Sequence, residues 1–140
     1  MRKKILIVED NTELLEMLRL TLKEAGLAVA TATNGIEALK KARSIEPDLM
    51  VLDLVLPELD GFAVCETLRR DPALAGMPVI ALTGLTSEIS RYAGLESGAS
   101  EYVTKPFNPG QLVSLVHHWL KQAPRNSKAE SKPAHAAAKA

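Results

Sequence analysis

Residues 49–57 of the chain read LMVLDLVLP. Four apolar residues lead without alternation to the carboxylate of Asp53, and Pro57 ends the apolar stretch that follows. A continuous apolar run of this kind is typical of a strand covered on both faces. Because a charge at the end of a buried strand costs free energy unless it is compensated, we expect partners for Asp53 from elsewhere in the chain.

Apolar spacing and turn residues on either side of this stretch predict five strand–helix pairs. The strands are predicted over 4–8, 27–32, 49–52, 78–82 and 101–104, and the helices over 11–25, 36–44, 60–70, 86–96 and 109–122. The second helix is expected to face Ile36, Leu39 and Ala42 inward, and Gly94 to interrupt the fourth. This alternation predicts an α/β fold, a parallel sheet with helices on both faces and a site beyond the carboxyl ends of its strands.

The composition is that of one globular domain. The chain has 140 residues and a formal net charge of zero, which gives no reason to expect attraction to nucleic acid or to an anionic membrane. The one cysteine, Cys65, excludes an intrachain disulfide and is expected to pack in the core. Neither a membrane-spanning run nor a signal peptide is found, so we expect a cytoplasmic protein.

The last eighteen residues, 123–140, are rich in Ala, Lys, Pro and Ser and lack apolar periodicity. We expect them to be a disordered tail or linker that follows a domain over 3–122. No recognition helix is evident, so direct nucleic-acid binding by this chain is not expected. The sequence leaves open whether the chain is a complete regulator or a piece of a longer one.

Polar side chains stand at the ends of four predicted strands. Glu9 and Asp10 follow the first strand, Asp53 the third, Thr83 the fourth and Lys105 the fifth. Carboxylates gathered at one edge favour Mg²⁺, or Mn²⁺, with water and phosphate completing the coordination. A lysine and a hydroxyl suit a phosphoryl group, and a carboxylate can act as its nucleophile. The set therefore indicates phosphoryl transfer through an aspartyl-phosphate.

Each residue also has a simpler interpretation. Asp10 could cap the first helix, with Glu13 completing a capping box. Thr83 could be an ordinary loop hydroxyl and Lys105 a surface lysine. The joint occurrence of these residues at four strand ends favours the phosphoryl site. The adjacent histidines at 117 and 118 are interpreted as surface residues, because no third ligand is spaced to form a metal site with them.

The chain resembles a chemotaxis-type response-regulator receiver domain, the phosphoacceptor of two-component signalling. The matching motifs are Val8-Glu9-Asp10-Asn11, residues 53–57 followed by Asp60-Gly61, Ala81-Leu82-Thr83-Gly84, and Tyr102-Val103-Thr104-Lys105-Pro106-Phe107. They extend across residues 3–122. The resemblance implies a doubly wound, flavodoxin-like (βα)5 fold with strand order 2-1-3-4-5.

The resemblance also implies a role for each matching residue. Asp53 is the phosphoacceptor, and Glu9, Asp10, Asp53 and the backbone carbonyl of Val55 hold Mg²⁺. Lys105 and Thr83 bind the phosphoryl group, and the Lys105–Pro106 bond is expected to be cis. Thr83 and Tyr102 form the switch, in which Tyr102 turns inward on phosphorylation and changes the surface of the fourth helix, fifth strand and fifth helix.

Expected partners follow from the same resemblance. A sensor histidine kinase or phosphotransfer protein supplies the phosphoryl group, and a downstream protein target reads the switch, with no membrane involved. Whether phosphorylation induces dimers is left open. The chain is then a signalling phosphoacceptor that catalyses its own phosphotransfer and autodephosphorylation, not an enzyme acting on other substrates.

Two rival functions remain. A metal-dependent phosphatase would place a second acid two residues after its nucleophile, where this chain has Val55. A binding module that is never phosphorylated would not need the complete set of site residues. Val55 and Leu85, both apolar, occupy positions at which the family varies, and we expect them to exclude water and prolong the phosphorylated state.

Overall fold

The computed structural model describes residues 2–122. Five strands alternate with five helices along this part of the chain, as predicted. The strands are β1 (Lys4–Val8), β2 (Ala28–Ala32), β3 (Leu49–Leu52), β4 (Val79–Thr83) and β5 (Glu101–Thr104). The helices are α1 (Thr12–Glu24), α2 (Gly35–Ile45), α3 (Gly61–Arg70), α4 (Glu88–Glu96) and α5 (Pro109–Gln122).

The five strands form one parallel sheet in the order β2-β1-β3-β4-β5, which confirms the flavodoxin-like topology implied by the resemblance. β1, β3 and β4 are central and almost fully buried. Val8 lies opposite Leu52, and Thr83 lies opposite Thr104. The residues that follow these strands therefore emerge at one edge of the sheet.

Side chains on alternate residues of β1 pack on opposite faces of the sheet, as the strand period of two requires. Ile5 and Ile7 pack with α1 and α5, whereas Leu6 and Val8 pack with α2 and α3. Each fully buried aliphatic side chain contributes about 1.5–3 kcal/mol of transfer free energy. The sheet is thus packed between two apolar layers, which fixes the positions of its strand ends.

The structure excludes one alternative interpretation and corrects two local predictions. Asn11, not Asp10, caps α1, since its side chain accepts a hydrogen bond from the Leu14 N–H at 2.9 Å. Ile36 is 44% exposed because it lies roughly 110° around α2 from the middle of the buried stripe. α4 begins at Glu88, later than predicted, and runs through Gly94 without a break.

No helix among residues 2–122 is both long and apolar enough to cross a membrane. The predicted tail, 123–140, lies outside the described residues.

Candidate functional site

The site lies at the carboxyl edge of the sheet, where backbone hydrogen bonds continue past the strands. The Asp53 N–H donates to the Val8 carbonyl at 3.0 Å. The Lys105 N–H donates to the Thr83 carbonyl at 2.8 Å, and the Glu9 N–H to that of Ala32 at 3.0 Å. Three predicted site residues are therefore fixed by the sheet before their side chains make any contact.

Lys105 joins the two buried acids of the site. Its Nζ donates to Glu9 Oε1 at 2.9 Å and to Asp53 Oδ2 at 3.0 Å. The other oxygens of these carboxylates are also occupied, because Glu9 Oε2 accepts from the Asn11 N–H and Asp53 Oδ1 from the Val55 N–H. The simpler interpretation of Lys105 as a surface lysine is thus excluded. The partners that we expected for Asp53 are thus a lysine side chain and a backbone N–H.

The electrostatics of the site reflect its burial. Burial raises the pKa of the Glu9 carboxyl, and the negative charge of Asp53 adds to this rise against the hydrogen bonds from Lys105 and Asn11. Burial lowers the pKa of Lys105, but the hydrogen bonds to Glu9 and Asp53 and the negative charges of these two acids together outweigh burial, so the pKa is raised. Lys105 therefore stays charged at neutral pH.

A third acid completes the cluster. One carboxylate oxygen from each of Glu9, Asp10 and Asp53 lies within 4.8 Å of the others, and Asp10 is exposed to solvent. When three carboxylates and one ammonium are all ionised, the net charge of the cluster is −2. A divalent cation balances this charge. An all-oxygen donor set with one side open to water suits Mg²⁺ or Mn²⁺. The residues present therefore fit the expected ion.

The predicted switch residues, Thr83 and Tyr102, are joined to each other through one backbone segment. Thr83 is fully buried, and its Oγ1 accepts a hydrogen bond from the Leu85 N–H at 3.3 Å. The Tyr102 hydroxyl donates to the Leu85 carbonyl at 2.7 Å. Tyr102 is 5% exposed, so its ring already lies inward here, whereas an inward position was expected only on phosphorylation. The backbone of Leu85 thus connects Thr83 to Tyr102, a connection that the sequence did not reveal.

The structure also places the proline bond, the valine, the two histidines and the glycine that the sequence analysis singled out. The Lys105–Pro106 bond is cis, as expected. The contact that Val55 makes with Asp53 is through its N–H, and its side chain is 55% exposed on the rim of the site. His117 and His118 are exposed on α5, away from the cluster. The loop after Asp53 is closed by Gly61, whose N–H donates to the Leu54 carbonyl at 3.0 Å.

Gly61 shows why the loop returns so closely to the strand. A Cβ at this residue would lie 2.5 Å from the backbone carbonyl oxygen of Asp53 and from Cα of Leu54. Only glycine permits this approach, so α3 begins directly against the backbone of Asp53.

The model of the response regulator receiver domain family matches residues 5–117. The chain belongs to this family. Solved structures agree: a putative response regulator from Chloroflexus aurantiacus J-10-fl is 36% identical, with a TM-score of 0.83 over 86% of this chain and 99% of that one. The receiver domain of the sensor histidine kinase PA1611 from Pseudomonas aeruginosa PAO1, described with a magnesium ion coordinated in the active site cleft, is 29% identical with a TM-score of 0.81, over 86% of this chain and 99% of that one.

Curated relatives of this receiver domain are named as regulatory proteins. The alkaline phosphatase synthesis transcriptional regulatory protein PhoP of Bacillus subtilis is 42% identical over 88% of this chain and 50% of its own length. The DNA-binding response regulator MtrA of Mycobacterium tuberculosis H37Rv is 42% identical over 87% of this chain and 52% of its own length. The chain thus spans about half the length of the curated relatives that it matches.

These relatives correct one prediction. The sequence was interpreted as giving no reason to expect nucleic-acid binding, but MtrA is a DNA-binding regulator, so excluding nucleic acid was wrong. The physical reason is that the net charge of a receiver domain carries no information about what the matched regulators contain in the rest of their length.

Proposed function

We propose that this receiver domain accepts a phosphoryl group on Asp53 from a phosphohistidine of a sensor kinase. One carboxylate oxygen of Asp53 attacks phosphorus, the phosphorus–nitrogen bond breaks, and the histidine leaves with the bonding electron pair. The observation that carries the proposal is the pair of hydrogen bonds from Lys105 to Asp53 and Glu9. They hold a cation against the nucleophile, where negative charge accumulates on the transferred group.

The surrounding acids support a metal-dependent reaction. Glu9, Asp10 and Asp53 hold Mg²⁺ in this proposal, with the Val55 carbonyl as a further ligand. The bound ion would neutralise the charge on the phosphoryl oxygens and screen the incoming group from the acids. Lys105 then exchanges its contact with Asp53 for one with a phosphoryl oxygen, while its contact with Glu9 keeps it in place.

Phosphorylation is then read out beside Thr83. The hydroxyl of Thr83 turns from the Leu85 N–H to the phosphoryl group, and the change reaches Tyr102 through the backbone of Leu85. We propose that the surface of α4, β5 and α5 changes as a result and controls a protein partner. Autodephosphorylation ends the signal, and the receiver domain occupies residues 3–122, with 123–140 as a linker or tail.

Intact mass spectrometry after incubation with acetyl phosphate and Mg²⁺ tests the phosphoacceptor assignment. One added phosphoryl group is expected in the wild type and in Asp60→Asn, and none in Asp53→Asn. Asp60 is a matched control because it lies in the same loop, and asparagine caps α3 as well as aspartate does. Phosphorylation of Asp53→Asn to the wild-type extent, or an unchanged reaction in excess EDTA, would contradict the proposal.

The exposed side chain of Val55 is proposed to prolong the phosphorylated state by keeping water from the acyl phosphate. Decay of the radiolabelled phosphoprotein should be faster in Val55→Asn than in the wild type. Faster loss from the wild type would reject this role for Val55.

A further inference from the structure

Gly94 is the one residue of α4 that is buried. A Cβ at this residue would lie 2.9 Å from both Cδ1 and Cε1 of Tyr102, and 3.3 Å from Cδ1 of Leu54. Favourable carbon–carbon contacts are about 3.5–4.0 Å, so a side chain at 94 and the ring in its observed place exclude each other. α4 therefore packs on the domain through a glycine lying against an aromatic ring.

The ring also makes polar contacts in its observed place. Its hydroxyl is hydrogen-bonded to the Leu85 carbonyl at 2.7 Å. The guanidinium carbon of Arg91 lies 5.9 Å from the ring centroid, and Arg91 Nη1 donates to the Tyr102 carbonyl at 3.4 Å. Leu54 differs, because the contact is with the end of a flexible side chain that can move away.

Glycine in the interior of a helix is destabilising relative to alanine, so helix propensity alone would favour alanine at position 94. We infer that Gly94 is the positioning residue of Tyr102: the missing side chain at 94 is what allows the inward ring and a docked α4 to coexist. The consequence for signalling rests on the proposed function, in which Tyr102 is the switch residue. The contact itself does not depend on phosphorylation.

A double-mutant cycle tests the contact. In the wild type, Gly94→Ala should lower the folding equilibrium constant by about fivefold or more, because the added methyl group overpacks the ring. In a Tyr102→Ala background, the same substitution should raise the constant by about two- to fivefold, because only helix propensity remains. A change of the same sign and size in both backgrounds would overturn the inference.

The cycle also covers variants that do not fold. If Gly94→Ala alone is unfolded, the inference requires that the double variant fold, since removal of the ring removes the clash. Failure of both would show that another contact excludes the side chain. Gly76→Ala is the matched control, because a Cβ there meets nothing within 4 Å, and it should behave alike in both backgrounds.

Fluorine NMR of protein labelled with 3-fluorotyrosine gives a readout that a merely structural role would not produce. The chain has two tyrosines, and Tyr92, 66% exposed on the same helix, serves as the reference for a solvated ring. Tyr92→Phe assigns the two resonances. Gly94→Ala should move the Tyr102 resonance toward that of Tyr92, whereas Gly76→Ala should leave it in place. An unmoved resonance in folded Gly94→Ala would overturn the inference.

The same samples separate this inference from the proposed function. Acetyl phosphate should phosphorylate Gly94→Ala as it does the wild type, because the atoms nearest to a Cβ at 94 belong to Tyr102 and Leu54 and not to a site carboxylate. After phosphorylation, the wild-type Tyr102 resonance should respond at least twice as strongly as that of Gly94→Ala. If no variant accepts a phosphoryl group, the proposed function fails, while the cycle still decides the contact.

Discussion

The edge of the sheet around Asp53 and the adjoining helix α4 are held by different forces. At the edge, Glu9 and Asp53 are buried and each has a charged and a backbone partner. α4 buries only Gly94 and exposes Ile89 to 83% and Tyr92 to 66%. The strand ends are thus held by buried charged contacts, whereas α4 buries a single residue, and an element with so few buried contacts is expected to open at a low free energy.

Replacement of Lys105 is expected to have the largest effect, because Lys105 holds the two buried acids at the edge of the sheet. Lys105→Met should slow phosphorylation by acetyl phosphate roughly a hundredfold, because a pre-placed cation is lost from the reacting group. The rate is measured by intact mass over time. Lys121→Met, an exposed lysine near the end of α5, should change it less than twofold. Equal rates in the two variants would show that Lys105 is not part of the chemistry.

Replacement of Arg69 tests whether its hydrogen bonds hold the segment after α4 to the rest of the domain. Its guanidinium donates to the carbonyls of Gly98, Ala75 and Met77, and so joins α3 to the segments before β4 and after α4. Arg69→Met should lower the free energy of unfolding by about 2–4 kcal/mol, because three carbonyls lose a charged donor. Urea denaturation measures this change. The neighbouring exposed Arg70→Met should cost less than about 0.5 kcal/mol. Similar losses in both would refute the anchor.

Tyr102→Phe and Tyr92→Phe compare a hydroxyl on a buried ring of β5 with a hydroxyl on an exposed ring of α4. Loss of the hydrogen bond to the Leu85 carbonyl should lower the free energy of unfolding by about 1 kcal/mol. Tyr92→Phe removes the same atom from an exposed ring and should leave stability unchanged. Phosphorylation should proceed in both variants. An equal effect of the two substitutions in denaturant titrations would remove the basis for linking Leu85 to Tyr102.

Cys65 gives a test that depends on pH. The thiol is fully buried, as the sequence predicted, and burial raises its pKa to about 11. A raised pKa in the folded state means that burial favours the protonated thiol, so its contribution is complete below pH 9 and is lost as pH rises through 11. The urea midpoint should therefore fall more between pH 9 and 11 in the wild type than in Cys65→Ala. A steeper fall in Cys65→Ala would contradict this assignment.

The sequence predicted the sheet and the charged part of the site because both depend on local patterns. Continuous apolar runs marked the central strands, and the residues that ended them, Asp53 among them, were charged where burial makes charge expensive. The parallel topology then required Glu9, Asp53 and Lys105 to meet. No tertiary information beyond strand order was needed for these predictions.

The remaining features depend on contacts that no local pattern encodes. Gly94 was interpreted as a helix interruption because propensity alone cannot show a ring packed against it. The indole N–H of Trp119 on α5 donates to Glu101 Oε1 at 2.9 Å, a contact between elements that helical spacing does not show. The partners of Arg69 are backbone carbonyls, which every residue carries, so the sequence gives no signal for them.

The position of the phosphoryl group is the most direct test of the proposed function. Sodium borohydride reduces an aspartyl-phosphate to homoserine, so peptide sequencing by mass spectrometry after phosphorylation and reduction identifies the acceptor. We predict homoserine at position 53 in the wild type and at no other position. Homoserine at position 10 or 60 with aspartate retained at 53, or a phosphoryl group on His117 or His118, would contradict the assignment of Asp53 as the phosphoacceptor.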